Sequence, residues 1–146
     1  MKEKQTMHEG FIESLIEQIQ YYDGEKKEII LLAPELFKLM TNLLKDERTP
    51  PEAQSLINGA IAYFVAPYDG LPEEVHGPLG FMDDIFVCLY VLKKLMNFVD
   101  WELLIENWEG VESIRTVVDN VYPEVKEYVR GAAEHIVNYV DFMISG

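Results

Sequence analysis

The sequence predicts an all-α fold: a single domain over residues 1–146, a multi-helix bundle around a central apolar helical hairpin. Three observations carry this. Apolar residues recur at helical spacing in nearly every segment. No sustained period-two alternation bounded by hairpin turns competes with them. The stretch from Phe81 to Phe98 is apolar almost all round, as in a helix surrounded by others. With 49% hydrophobic residues, the 146-residue chain is too apolar for disorder and suits one core.

The first helix is predicted over Thr6–Tyr22, with Phe11, Ile12, Leu15, Ile16, Ile19 and Tyr22 on its buried face. Asp23-Gly24 stops it, since glycine accepts the left-handed conformation that ends helices. From Glu25 a helical period runs through Ile29, Leu32, Leu36, Phe37, Met40 and Leu43, interrupted by Pro34. A short helix followed by a new one, with Pro34 in its first turn, is the expectation, and the period alone is equally met by one helix kinked at Pro34. Lys45 to Thr49 is a polar turn. Thr49-Pro50-Pro51-Glu52 then reads as a helix start, with the threonine as cap and Glu52 at the capping-box position. That helix turns Ala53, Leu56, Ile57, Ala60, Ile61 and Phe64 inward.

After Pro67 comes a loop dense in Pro, Gly and acid, and the apolar helix of about Phe81–Phe98 follows as the central rod. Asp100 is placed to cap a short helix holding Trp101, Leu104, Ile105 and Trp108. Beyond Gly110 a further short helix holds Val111, Ile114, Val117 and Val118. Pro123 is then expected to open a last helix with a stripe from Val125 to Met143.

The formal net charge of −14 repels phosphate backbones, so nucleic acid is not an expected partner. It attracts divalent cations or basic protein surfaces, although such acid also simply keeps a protein soluble. The expected function is a non-catalytic interaction or scaffold role, with a protein partner or self-association through an apolar patch; the alternatives are a divalent-metal-binding module or metal-dependent enzyme using the acidic loop 69–84, and a peripheral membrane-associated protein. The lone Cys88 builds neither a disulfide framework nor a zinc knuckle, and reads as a small core residue. The N-terminal stretch has no apolar run of the signal-peptide kind, so a cytoplasmic location is expected. Phe81–Val99 has the length of a membrane span but carries Asp83, Asp84, Lys93 and Lys94, and is read as a core helix. Membrane association, if any, is therefore expected to be peripheral.

The candidate site is the acidic loop. Asp69, Glu73, Asp83 and Asp84 supply the oxygen ligands that a hard divalent cation, Mg²⁺ or Ca²⁺, prefers. Glu73 and His76 have a Glu-x-x-His spacing, but di-iron bundles use two such motifs and this chain has one. The structural reading of the same residues is stronger. Asp69 follows Pro67 in a turn where carboxylates accept loop N–H groups. Asp83 and Asp84 stand in a helix's first turn, where unpaired N–H groups and the dipole favour negative charge. On that reading no cofactor is expected. No Gly-x-Ser-x-Gly elbow, P-loop, dinucleotide fingerprint or His-Glu-x-x-His motif is present, so no catalytic residue is assigned.

Tyr63, Pro67, Asp69, Leu71, Pro72, Gly80, Asp83 and Asp84 together resemble the pattern of the YkvA-like family of helical domains of unknown function. In that pattern an apolar helix ends in a Pro-x-Asp turn, and a Gly-x-x-Asp-Asp sequence opens the next one. The Leu36–Leu44 helix and the Lys45–Pro50 turn look like the family's lead-in, so the resemblance covers residues 36–95. Gly70 stands where the family has an apolar residue, and Glu73 where it has Asp. The resemblance implies a compact helical hairpin around an acidic loop, with some members in membrane-associated proteins, and it implies no particular activity.

Overall fold

The structure, a computed structural model, describes residues 7–65, 81–130 and 138. Their helices are α1 (Met7–Ile19), α2 (Lys27–Ile30), α3 (Ala33–Lys45), α4 (Pro51–Val65), α5 (Phe81–Leu95), α6 (Trp101–Asn107) and α7 (Ile114–Tyr128). No strand occurs among the described residues, and the all-α expectation holds.

α5 is the rod at the centre. It packs against α2, α3, α4 and α7. Every residue from Phe81 to Leu89 is buried, and Val91, Leu92 and Leu95 continue the buried surface. Full burial of a single Phe or Leu side chain contributes roughly 1.5–3 kcal/mol, so this one helix supplies a large part of the core's driving force. On the far side, Phe11, Phe37 and Phe64 join α1, α3 and α4 in one aromatic cluster. Their centroids lie 4.8 Å (Phe11–Phe37), 5.3 Å (Phe37–Phe64) and 6.1 Å (Phe11–Phe64) apart. All six residues expected to turn inward from α4 are buried.

Pro34 falls in the first turn of α3, after the short α2, so the chain takes the break and not the single kinked helix. Asp100 caps α6 by accepting the N–H of Leu103 at 3.1 Å.

Four local expectations are corrected. α1 ends at Ile19 rather than Tyr22, and Ile16 is 40% exposed. α5 ends at Leu95, three residues before Phe98, in a turn closed by Phe98 N–H to the carbonyl of Leu95 at 2.8 Å. The Thr49 hydroxyl donates to the carbonyl of Leu43 at 2.6 Å, so it seals the end of α3 instead of capping α4. Pro123 lies inside α7 and does not open a new helix. An interior proline costs about 3 kcal/mol. Here the buried face of Ile114, Val117, Val118 and Val125 packs on α5 through the break, and tertiary burial outweighs the local signal.

One polar clasp ties the two halves of the chain. The Asp46 carboxylate accepts from the Arg48 backbone N–H at 2.9 Å, from Arg48 Nε at 3.0 Å and Nη2 at 2.8 Å, and from Asn107 Nδ2 at 3.1 Å. Arg48 Nη1 also meets Glu106 at 2.7 Å. A turn from the first half thereby fixes the end of α6.

Candidate functional site

The chain enters α5 at Phe81, which places Asp83 and Asp84 in its first turn. Both carboxylates are completely buried, and neither is without an interaction partner. Two adjacent carboxylates at zero exposure are uncommon, because desolvation disfavours the charged form unless partners satisfy it. The dipole of α5 acts in the required direction. Asp69, Glu73 and His76 lie outside the described residues. Among the described residues, no group of three or more His, Cys, Asp or Glu side chains is arranged to hold a metal ion.

Cys88 lies one turn further along α5, wholly buried and free. Burial, reinforced by the nearby Asp84 charge, pushes its thiol well above the ordinary cysteine range. A protonated, sealed thiol is a packing group and not a nucleophile.

The open concavity is elsewhere. A groove of about 880 Å³ runs between the segment from Gly24 to Glu35 and the segment from Trp108 to Glu124. Its first wall is α2 with its flanking turns. Lys26 begins this wall in a left-handed conformation, φ 63°, which disfavours every residue with a Cβ. Its ammonium reaches Glu124 of α7 at 3.1 Å and so joins the two walls. The second wall is the 108–113 loop, coiled around Trp108, whose Nε1 donates to the carbonyl of Glu112 at 2.6 Å. A Cβ on Gly110 would fall onto the Trp108 ring, so the loop closes only with glycine there. Asn42 Nδ2 holds the same loop from α3, donating to the Asn107 carbonyl at 3.0 Å and to Glu109 at 2.8 Å.

Val111 stands at the tip of this wall, fully exposed, and Leu31 on the other wall is 39% exposed. The helical period assigns Val111 to a buried face. The structure instead starts α7 only at Ile114, with Ser113 as its cap. Ser113 and Gly110 were the signals in the sequence for a loop here.

Residues 55–90 match the family described as "Protein of unknown function (DUF1232)". That stretch holds most of α4 and the first two-thirds of α5, and lies inside the 36–95 hairpin that carries the resemblance. A family of unknown function is what the resemblance implied. The chain is 25% identical over 130 residues to "Uncharacterized protein ORF9" of Methanothermobacter thermautotrophicus, an alignment covering 89% of each protein. A 31-residue stretch, 21% of this chain, is 64% identical to "E3 ubiquitin-protein ligase RNF170" of Danio rerio and spans 12% of that protein. No solved structure matches the chain.

Proposed function

We propose that this chain is a non-catalytic interaction module, a rigid helical scaffold that holds a protein partner on its surface. One observation carries the reading: Asp83 and Asp84 are buried in the core, while the groove is open and bears an exposed apolar side chain at Val111. Groups that solvent does not reach do not meet a substrate, whereas a rigid groove loses little entropy on binding. The 64% identity with a short stretch of a ubiquitin ligase suits a segment that is reused in a protein of different organisation. The single free, buried Cys88 suits a reducing compartment, and the reading places the protein in the cytoplasm. No helix among the described residues is long and apolar enough to cross a membrane.

The test compares the tagged chain with a Leu31→Asp, Val111→Asp variant in affinity purification, followed by reconstitution from purified components. A partner bound at one-to-one ratio by the wild type and at least about tenfold more weakly by the variant supports the module. Turnover of a substrate that is lost in Asp83→Asn, with the groove variant unaffected, would replace this reading with an enzyme.

A second reading, a module for a divalent cation such as Mg²⁺ or Ca²⁺, is favoured by the complete burial of Asp83 and Asp84. A cation would offset the desolvation of two neighbouring charges. Asp69 and Glu73 would complete its oxygen set, and a response of thermal stability to the ion tests it.

A further inference from the structure

We infer that the groove between α2 and the 108–113 loop docks a basic peptide segment with an apolar anchor, presented by a partner protein. This rests on the interaction reading above and names the chemistry of the partner.

The inference starts from the charge lining the groove. Five carboxylates, Glu28, Glu35, Glu109, Glu112 and Glu124, face two ammonium groups, Lys26 and Lys27. The cations are already engaged. Lys26 pairs with Glu124 at 3.1 Å, and Lys27 with Asp23 at 3.5 Å. Glu109 is within 3.8 Å of Lys38. Among the described residues Glu28, Glu35 and Glu112 take part in no ion pair. They leave a net negative field inside a concave surface, which attracts and orients a cationic segment.

Charge alone does not set a register. Val111 and Leu31 supply exposed apolar surface, one from each lining segment, and Trp108 and Ile29 also line the groove. Exposed apolar side chains among charged ones give a bound segment an anchor as well as an attraction. Lys26 to Glu124 ties the two walls, and Trp108 to Glu112 and Asn42 to Glu109 hold the 108–113 loop. A second copy of the chain brings the wrong sign, since each carries a formal charge of −14.

The probe is a fluorescein-labelled amphipathic peptide of alternating Lys and Leu pairs, read by fluorescence anisotropy against the full chain. A Glu/Leu peptide of equal length and an all-Lys peptide are the controls. The Lys/Leu peptide is expected to saturate the wild type, to bind more tightly than the all-Lys peptide, and to weaken as salt rises. A triple Glu28→Gln, Glu35→Gln, Glu112→Gln variant is expected to lose roughly tenfold in affinity. A distal variant, Glu17→Gln, Glu47→Gln, Glu52→Gln, removes the same charge from exposed sites outside the groove and is expected to retain wild-type affinity. All substituted side chains are near-isosteric and at the surface, so an unchanged thermal midpoint verifies folding.

Equal weakening by both triple variants overturns the proposal, because binding is then a response to net charge. So does an absence of Lys/Leu binding at millimolar peptide, or tighter binding of the Glu/Leu peptide. Concentration-dependent dimerisation lost on Val111→Asp would give the groove to a second copy instead. In each of these cases the interaction reading itself is judged separately, by the reconstituted complex described above.

Discussion

Asp84 and Cys88 lie one helical turn apart on α5, and both side chains are wholly buried. The carboxylate and the loss of solvent act together on the thiol and push its ionisation well above the usual range. Native protein is therefore expected to resist iodoacetamide and disulfide reagents at pH 8, and to react fully once unfolded in guanidinium. The sign of the pH effect follows. The unfolded thiol ionises near pH 8.5, as free cysteine does, and the folded one later. Its stabilising contribution is intact below about pH 8.5 and is lost as pH rises towards the folded value. Tyr22 and Tyr122, both raised chiefly by burial, act with the same sign above about pH 10. A Cys88→Ala variant is expected to lack the first part of this alkaline loss. Rapid labelling of native Cys88 at pH 8 would show that the face shared with Asp84 is open.

The loop around Trp108 depends on the smallest side chain at position 110. A methyl group there meets the indole directly, so Gly110→Ala is expected to destabilise by about 1–3 kcal/mol, as overpacking does. For a chain of this length that lowers the melting temperature by roughly 3–10 °C. Displacement of the ring also moves tryptophan emission to longer wavelength. In a Trp108→Ala background the same substitution is expected to be nearly neutral, and a double-mutant cycle reads the coupling. Additive effects would mean that Gly110 is required for some reason other than the indole.

The two prolines show what was legible in the sequence and what was not. Pro34 and Pro123 carry the same local signal, a missing N–H and a fixed φ. At Pro34 the local and the global preferences agree, and a helix begins there. At Pro123 they disagree, and an uninterrupted apolar face on α7 decides the matter through contacts with α5 that lie distant in sequence. Thr49 shows the same limit at a finer scale: its type suits a cap, but the turn that ends α3 brings the carbonyl of Leu43 to its hydroxyl instead. Asp83 and Asp84 were legible as first-turn acids from spacing alone. Their complete burial was not, because it arises only when the bundle packs around α5 and spacing along the chain does not encode it. The groove was invisible for a similar reason. Its walls are some eighty residues apart in sequence, and the helical period assigned its tip, Val111, to the core.

Asp46 is held well below the usual carboxylate range, chiefly by hydrogen bonds from the Arg48 side chain, then by the Arg48 backbone N–H and by Asn107. A depressed folded value means that its stabilising contribution is present above about pH 4, where the unfolded carboxyl ionises. That contribution is lost as pH falls from about 4 through the folded value. Wild type is therefore expected to be more stable than Asp46→Asn at pH 7, with the gap closing in acid. Asn107→Ala is expected to weaken the same clasp from its other end, and the two effects are expected not to add. Thermal melts from pH 7 down to pH 2 check this, and a gap that stays constant across that range would remove the carboxylate from the account.

The buried pair on α5 separates the two functional readings. If Asp83 and Asp84 serve the helix's first turn, their partners are fixed protein groups and the fold is indifferent to divalent ions. Asp83→Asn then alters a fully buried side chain in the core, with a loss of about 1–3 kcal/mol, or roughly 3–10 °C. If a cation binds there, an ion at about 100 times its dissociation constant stabilises by roughly 2.7 kcal/mol, a rise of roughly 5–10 °C. EDTA would reverse that rise, and Asp83→Asn would abolish it. The scaffold reading expects the first pattern with Mg²⁺, Ca²⁺, Mn²⁺ and Zn²⁺ alike. The comparison with Asp84→Asn sharpens it, because a shared cation makes the two substitutions equivalent towards the ion. Separate structural roles make them unequal, since only Asp84 bears on the Cys88 thiol. A rise with one ion alone, lost in both variants, would transfer the function from the groove to the head of α5.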